Sequence, residues 1–222
     1  MILKLFRSSS PAAKIGDLYG AIVAQARTPA FYMEPGTELG MGGGMGAALG
    51  YGVPDTLEGR FDLIVLHLVL VLFQIGDRAA PMPPAGKTEV QARTGRVVGQ
   101  GLFDEFCRDL DDNLREMGVG DLTVPKKMRG FAEAFYGRQT VYVAALAAND
   151  RRELENALAR NIFDETKAGA GPVRLAAYAR AVLSQFKAQG QDAFEAALWR
   201  GELAFPKPET IPAPNQEAIQ NG

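Results

Sequence analysis

The 222-residue chain holds one cysteine, Cys107, one histidine, His67, and one tryptophan, Trp199. A single cysteine excludes an intramolecular disulfide framework. A single histidine excludes any site that needs two histidine ligands from one chain, including paired Glu-x-x-His metal motifs. The formal net charge is only −2, which excludes nucleic-acid binding through a bulk positive field. No apolar run reaches the roughly 20 residues of a membrane span. The longest, Leu63 to Phe73, contains His67 and is flanked by Arg60 and Asp62 before it and by Asp77 and Arg78 after it. The N-terminal MILKLFRSSSPAAK is too short in its apolar part for a secretory leader and reads as a helix start, so a cytoplasmic location is expected.

What is present is helical periodicity. Ile15, Leu18, Tyr19, Ile22 and Val23 predict a helix from Pro11 to Ala26, with Ser10 as its cap. Thr56 to about Ala79 predicts a helix apolar nearly all round, hence central. Leu102 to Met117 carries the stripe Phe103, Phe106, Leu110, Leu114 and Met117. Thr88 to Gln100 is a possible extension weakened by Gly95 and Gly99. Val124 to Ala148 carries Met128, Phe131, Phe135, Tyr142 and Leu146. Asp150 with Glu153 predicts a capping box opening a helix to about Phe163. Gly171 and Pro172 open another helix, ending at Gly190, and Asp192 with Glu195 predicts the cap of a last one through Trp199. With no strand pair in view, the fold class is all-α, an irregular multi-helix bundle formed by one domain over residues 1–205.

Two stretches break the pattern. Eight of the 25 glycines lie between Gly36 and Gly52, so residues 36–54 read as a Gly-rich loop. After Phe205 come four prolines by Pro214 and no apolar pattern, so residues 206–222 read as a disordered tail.

Motifs that could carry chemistry are few. Gly42 to Ala47 matches G-x-G-x-x-A, but no strand precedes it, as a dinucleotide fingerprint requires. Glu105, Asp109, Asp112 and Glu116 share a helix face, and without histidine partners they read as a solvated acidic face rather than a metal site. His67 sits on the most apolar helix. It reads as a hydrogen-bonded core histidine, the alternative being a small-molecule enzyme centred on it. Cys107 reads as a buried small residue. Lys126, Lys127 and Arg129 crowd a helix start, where they oppose the macrodipole. They define an alternative class of function, a ribosome- or membrane-surface adaptor. No metal or cofactor is called for, and no catalytic residue stands out.

Three segments together carry a resemblance: LYGAIVAQARTPAFY (Leu18 to Tyr32), GVPDTLEGRFDLIVLHLVLVL (Gly52 to Leu72) and LFDEFCRDLDDNLREMGVGDLTVPKKMRGFAEAFYGR (Leu102 to Arg138). ALARNIF and LAAYARAVL follow in the same order. The chain thereby resembles the ubiquinol–cytochrome c chaperone family over about Leu18 to Trp199. The resemblance implies a non-enzymatic assembly factor for the cytochrome bc complex. Its implied client is nascent or newly inserted cytochrome b, with a ribosome or small partner protein and peripheral contact with the cytoplasmic face of the inner membrane. It implies no DNA partner. The motif-bearing positions are Arg60, Asp62, His67, Arg115, Glu116, Gly118, Gly120, Asp121, Tyr136, Gly137, Arg138 and Asn161. Their polar members, together with Lys126 and Lys127, are the candidate client contacts or structural ties. Thr37 to Gly50 departs from the family as an insertion. Phe73-Gln74 replaces a basic residue, so a basic contact is expected to be missing there. A chaperone of a membrane protein needs an apolar groove rimmed with charge. The helices Thr56–Ala79 and Val124–Ala148 are its expected walls.

Overall fold

The computed structural model describes residues 11–34, 50–76, 89–165 and 169–212. Among them are seven helices and no strand: α1 Pro11–Ala26, α2 Leu57–Ile75, α3 Glu89–Glu116, α4 Val124–Ala147, α5 Arg151–Ile162, α6 Ala170–Ala188 and α7 Gln191–Arg200. Two short 3-10 turns, Pro29–Phe31 and Pro208–Thr210, complete the described chain. The all-α bundle expected from periodicity is the fold. Ser10, the linker from Arg78 to Lys87 and the Gly42–Ala47 motif lie outside the described residues, apart from the motif's distant flanks.

α2 is the axis of the bundle. Its residues from Phe61 to Leu72 are all buried, and α1, α3, α4, α5 and α6 pack around it. The helix starts where Thr56 Oγ1 accepts a hydrogen bond from the N–H of Gly59 at 3.1 Å. It stops at Gly76, whose φ of 75° is left-handed. Gly59 is fixed by space: a Cβ there would lie 2.1 Å from the carbonyl oxygen of Pro54.

α3 begins at Glu89, so the doubtful extension is real. Of the two glycines that argued against it, Gly95 is used for close approach, as is Gly101 a little further on. A Cβ on Gly95 would meet Ile75 at 2.7 Å, and one on Gly101 would meet Ile15 at 2.5 Å. Met117, expected in the apolar stripe of α3, is 53% exposed because the helix ends at Glu116 and the chain turns away.

At α5 only half of a capping box forms. Asp150 accepts from the N–H of Glu153 at 2.9 Å, while the Glu153 carboxylate turns to Arg160 at 3.1 Å. The N–H of Asp150 is already donated to Ala145 O, which leaves Glu153 nothing to cap. α7 is entered through Gly190, not capped by Asp192.

Both stretches expected to be irregular contain fixed structure. The N–H groups of Tyr51, Gly52 and Val53 donate to Ala30, Met33 and Phe31, so the end of the expected loop is held against the Pro29–Phe31 turn. Tyr51 and Val53 are buried. Residues 206–212 of the expected tail pack as well. Pro208 is buried, and its carbonyl accepts from the Tyr51 hydroxyl at 2.9 Å. Aromatic contacts override the proline content there. Residues 35–49 and 213–222 lie outside the described residues.

Candidate functional site

α4 is thinly buried for its apolar content. Only Val124, Phe135, Tyr142 and Ala145 are buried along it, and none of the residues from Pro125 to Ala134 is. Its first half therefore runs alongside α2 with an apolar flank half covered. Between them lies a groove of about 330 Å³ lined by Leu57, Glu58, Phe61, Lys127, Gly130, Phe131, Ala134 and Arg138. The floor is aromatic, with the Phe61 and Phe131 rings 5.0 Å apart. Leu57, at the edge, is half exposed. Glu58, Lys127 and Arg138 supply the charged rim. These are the two walls expected from the sequence.

Gly130 is informative here. A glycine inside a helix costs about 1 kcal/mol against alanine. At Gly95 and Gly101 the bundle explains the glycine; at Gly130 it does not, since a Cβ there would meet nothing within 4 Å. The bare backbone of Gly130 faces the groove.

The far wall is set by an ion pair. Arg138 Nε stands 2.6 Å from Asp62 Oδ1, tying α4 to α2. The N–H is poorly aimed for a hydrogen bond, so charge attraction carries the contact. The guanidinium also lies 5.6 Å from the Phe61 ring centroid, in cation–π reach. Burial pushes the Asp62 carboxyl up to about 6, against the downward pull of Arg138. Tyr142, buried on the next turn of α4, has a hydroxyl with no hydrogen-bond partner among the described residues, and burial raises its ionisation above the usual phenol range.

On its other flank, α4 forms with α3 a second depression of about 380 Å³, lined by Leu72, Arg96, Gln100, Phe103, Phe135 and Tyr136 among others. Tyr136 is half exposed, with its ring 5.5 Å from that of Phe103. Another depression, about 590 Å³, lies elsewhere: Arg27, Pro29, Tyr32, Met33, Asp55 and Arg60 line it with polar and apolar surface in similar measure.

The remaining predicted residues separate by role. Arg60 forms an exposed ion pair with Asp55 at 2.7 Å. Arg115 binds Asp111 at 2.6 Å and also Asp121, so it ties the end of α3 to the following turn. Glu116, Lys126 and Lys127 are exposed. Asn161 donates to Ala157 O at 2.8 Å within its own helix. The acidic face of α3 is not uniformly solvated: Asp109 accepts from the buried Tyr19 hydroxyl at 2.8 Å, and Glu105 pairs with Arg108 at 2.6 Å. Among the described residues, no group of acidic, histidine or cysteine side chains is arranged to hold a metal ion. Cys107 is half-buried rather than buried, since it stands beside the apolar stripe of α3 and not in it.

His67 has no solvent exposure. Its Nδ1 is 2.7 Å from Leu63 O, and a carbonyl only accepts, so Nδ1 carries the proton. Nε2 then accepts from the Tyr178 hydroxyl at 2.9 Å. Gln25 donates to the Tyr178 oxygen at 3.0 Å and to Pro206 O at 3.2 Å. Burial pushes the imidazole down to about 4, so it is neutral. Both ring nitrogens are used. His67 is the hydrogen-bonded core histidine expected, and Asp62 is engaged elsewhere. Tyr178 and Gln25 were not foreseen. The signal was a tyrosine amid the alanines of α6, at a position that had to be inside.

A family model described as ubiquinol–cytochrome C chaperone matches residues 50–201, from the Tyr51 segment to the end of α7 and including both groove walls. This chain belongs to the ubiquinol–cytochrome c chaperone family. The crystal structure of the Cbp3 homolog from Brucella abortus matches it with a TM-score of 0.68 and 33% identity, over 95% of this chain and 99% of that one. No curated protein matches. The family assignment attaches to α2 through α7, so the α2–α4 groove is a feature of the chaperone region itself and not of its flanks.

Proposed function

We propose that the chain is an assembly chaperone of the cytochrome bc complex and that it holds newly made cytochrome b by seating an apolar helical segment in the α2–α4 groove. Family membership supports the assembly role. The observation that carries the groove is its aromatic floor of Phe61 and Phe131 between charged rims, and the bare backbone of Gly130 leaves room for close approach of a second backbone. The rim of Glu58, Lys127 and Arg138 keeps an apolar floor compatible with water between clients. No catalysis is required of such a protein, and binding of modest affinity suffices because the client must leave.

Two experiments test this. Deleting the gene should lower cytochrome b and ubiquinol–cytochrome c reductase activity in membranes while another respiratory complex is spared. Normal levels of both would remove the assembly role. Within the protein, Gly130→Leu should fill the groove, preserve the melting temperature and abolish crosslinking of cytochrome b to a photoreactive residue at Phe131. Undiminished crosslinking would place the client elsewhere.

A further inference from the structure

The turn between α3 and α4 carries a feature that the groove does not use. Leu122 is 98% exposed, the barest large apolar side chain among the described residues, and Met117 nearby is 53% exposed. The backbone onward from Gly120 is already turning helically. The N–H groups of Thr123 and Val124 donate to Gly120 O, and those of Lys126 and Lys127 donate to Thr123 O. Leu122 therefore stands one turn ahead of Lys126 and two ahead of Arg129, on one side of the helix start. Lys126, Lys127 and Arg129 are exposed and form no ion pair among the described residues. Of the acids close by in the chain, Asp121 is occupied by Arg115, Glu116 ends α3 before the turn, and Glu133 lies one turn beyond Arg129.

Neither element serves the fold. A leucine bare to water contributes nothing to the core, and three cations in the first turns of α4, with no acid in its first turn, oppose the helix dipole. Both suit a surface that is anionic above and apolar beneath. We propose that the α3–α4 turn docks on an anionic lipid bilayer, with Leu122 entering below the headgroups and Lys126, Lys127 and Arg129 lying on the phosphates. An RNA surface would use the cations but leave Leu122 in water, so lipid is the better fit. No described helix is long and apolar enough to cross a membrane, so attachment through this turn is peripheral and reversible. Lys127 also lines the groove, so docking would bring the groove mouth to the membrane surface. The proposal does not depend on the client reading, because protein-free vesicles contain no client.

The test is flotation of the full chain with vesicles of phosphatidylcholine alone and of phosphatidylcholine mixed with phosphatidylglycerol. The chain should float with the mixed vesicles and much less with the neutral ones. Lys126→Ala with Lys127→Ala should lower partitioning roughly 10- to 30-fold at low salt. Leu122→Ser should lower it roughly 10-fold at low and high salt alike. All three positions are exposed and the two lysines oppose the helix dipole, so melting temperatures should not fall. Equal flotation with both vesicle types, or a Leu122→Ser variant that floats like the parent, would overturn the proposal. So would failure to float combined with a Lys126- and Lys127-dependent gel shift on a structured RNA, which would assign the patch to RNA.

Discussion

The Nε2 of His67 on α2 accepts a hydrogen bond from the hydroxyl of Tyr178 on α6, 111 residues later in the chain, at 2.9 Å and inside the core. Removing that hydroxyl strands a buried acceptor on His67 and leaves Gln25 with only Pro206 O to bind. Tyr178→Phe is therefore expected to cost about 1–3 kcal/mol in urea denaturation, although it deletes one atom and adds no volume. A change within a few tenths of a kcal/mol would show that a water replaces the hydroxyl.

His67 also sets a pH response. Its folded value, about 4, lies below the ordinary 6.5, so the unfolded chain binds the extra proton between them. The stability this residue contributes is complete above about pH 6.5 and is lost as pH falls through about 4, up to about 3 kcal/mol in all. Replacing it in His67→Phe should flatten the acid limb of stability against pH, relative to the parent.

Asp62 works in the opposite direction. Its folded value, about 6, lies above the ordinary carboxylate range, so the native state holds the proton longer than the unfolded chain. Its contribution is complete below about pH 4 and is lost as pH rises through about 6. Carbon-13 NMR should show the Asp62 carboxyl titrating near 6. In the parent the two slopes offset one another between about pH 4 and 6. Asp62→Asn should unmask a stability that climbs with pH across that window.

Glycines on α2 and α4 should answer oppositely to the same change. Gly59→Ala drives a Cβ against the Pro54 carbonyl oxygen and should destabilise by about 2 kcal/mol or more, despite the gain in helix propensity. Gly137→Ala meets nothing within 4 Å and should stabilise by about 0.5–1 kcal/mol. Thermal melts of the two variants shifting in the same direction would contradict the packing described for these helices.

Periodicity was enough to place the helices, because each buries a face at a regular spacing, and α2 had to be central because it has no polar face. The resemblance located the groove walls. What periodicity could not resolve was everything settled by tertiary approach. Gly95 looks like a helix breaker until Ile75 is seen against it. Tyr51 and Pro208 look like loop and tail until they meet. Asp109 looked solvated because its partner, Tyr19, is 90 residues away. Asp62 and Arg138 were both singled out, yet nothing in one dimension paired them.

The bond from Tyr51 to Pro208 spans 157 residues, and α1 lies against α7. The first described helix thus rests on one of the last, and Phe205 and Pro206 close over the core near His67. The core is therefore sealed by the segment from Phe205 to Pro208, and shortening the chain before Pro208 would leave the finished helices around an unsealed centre.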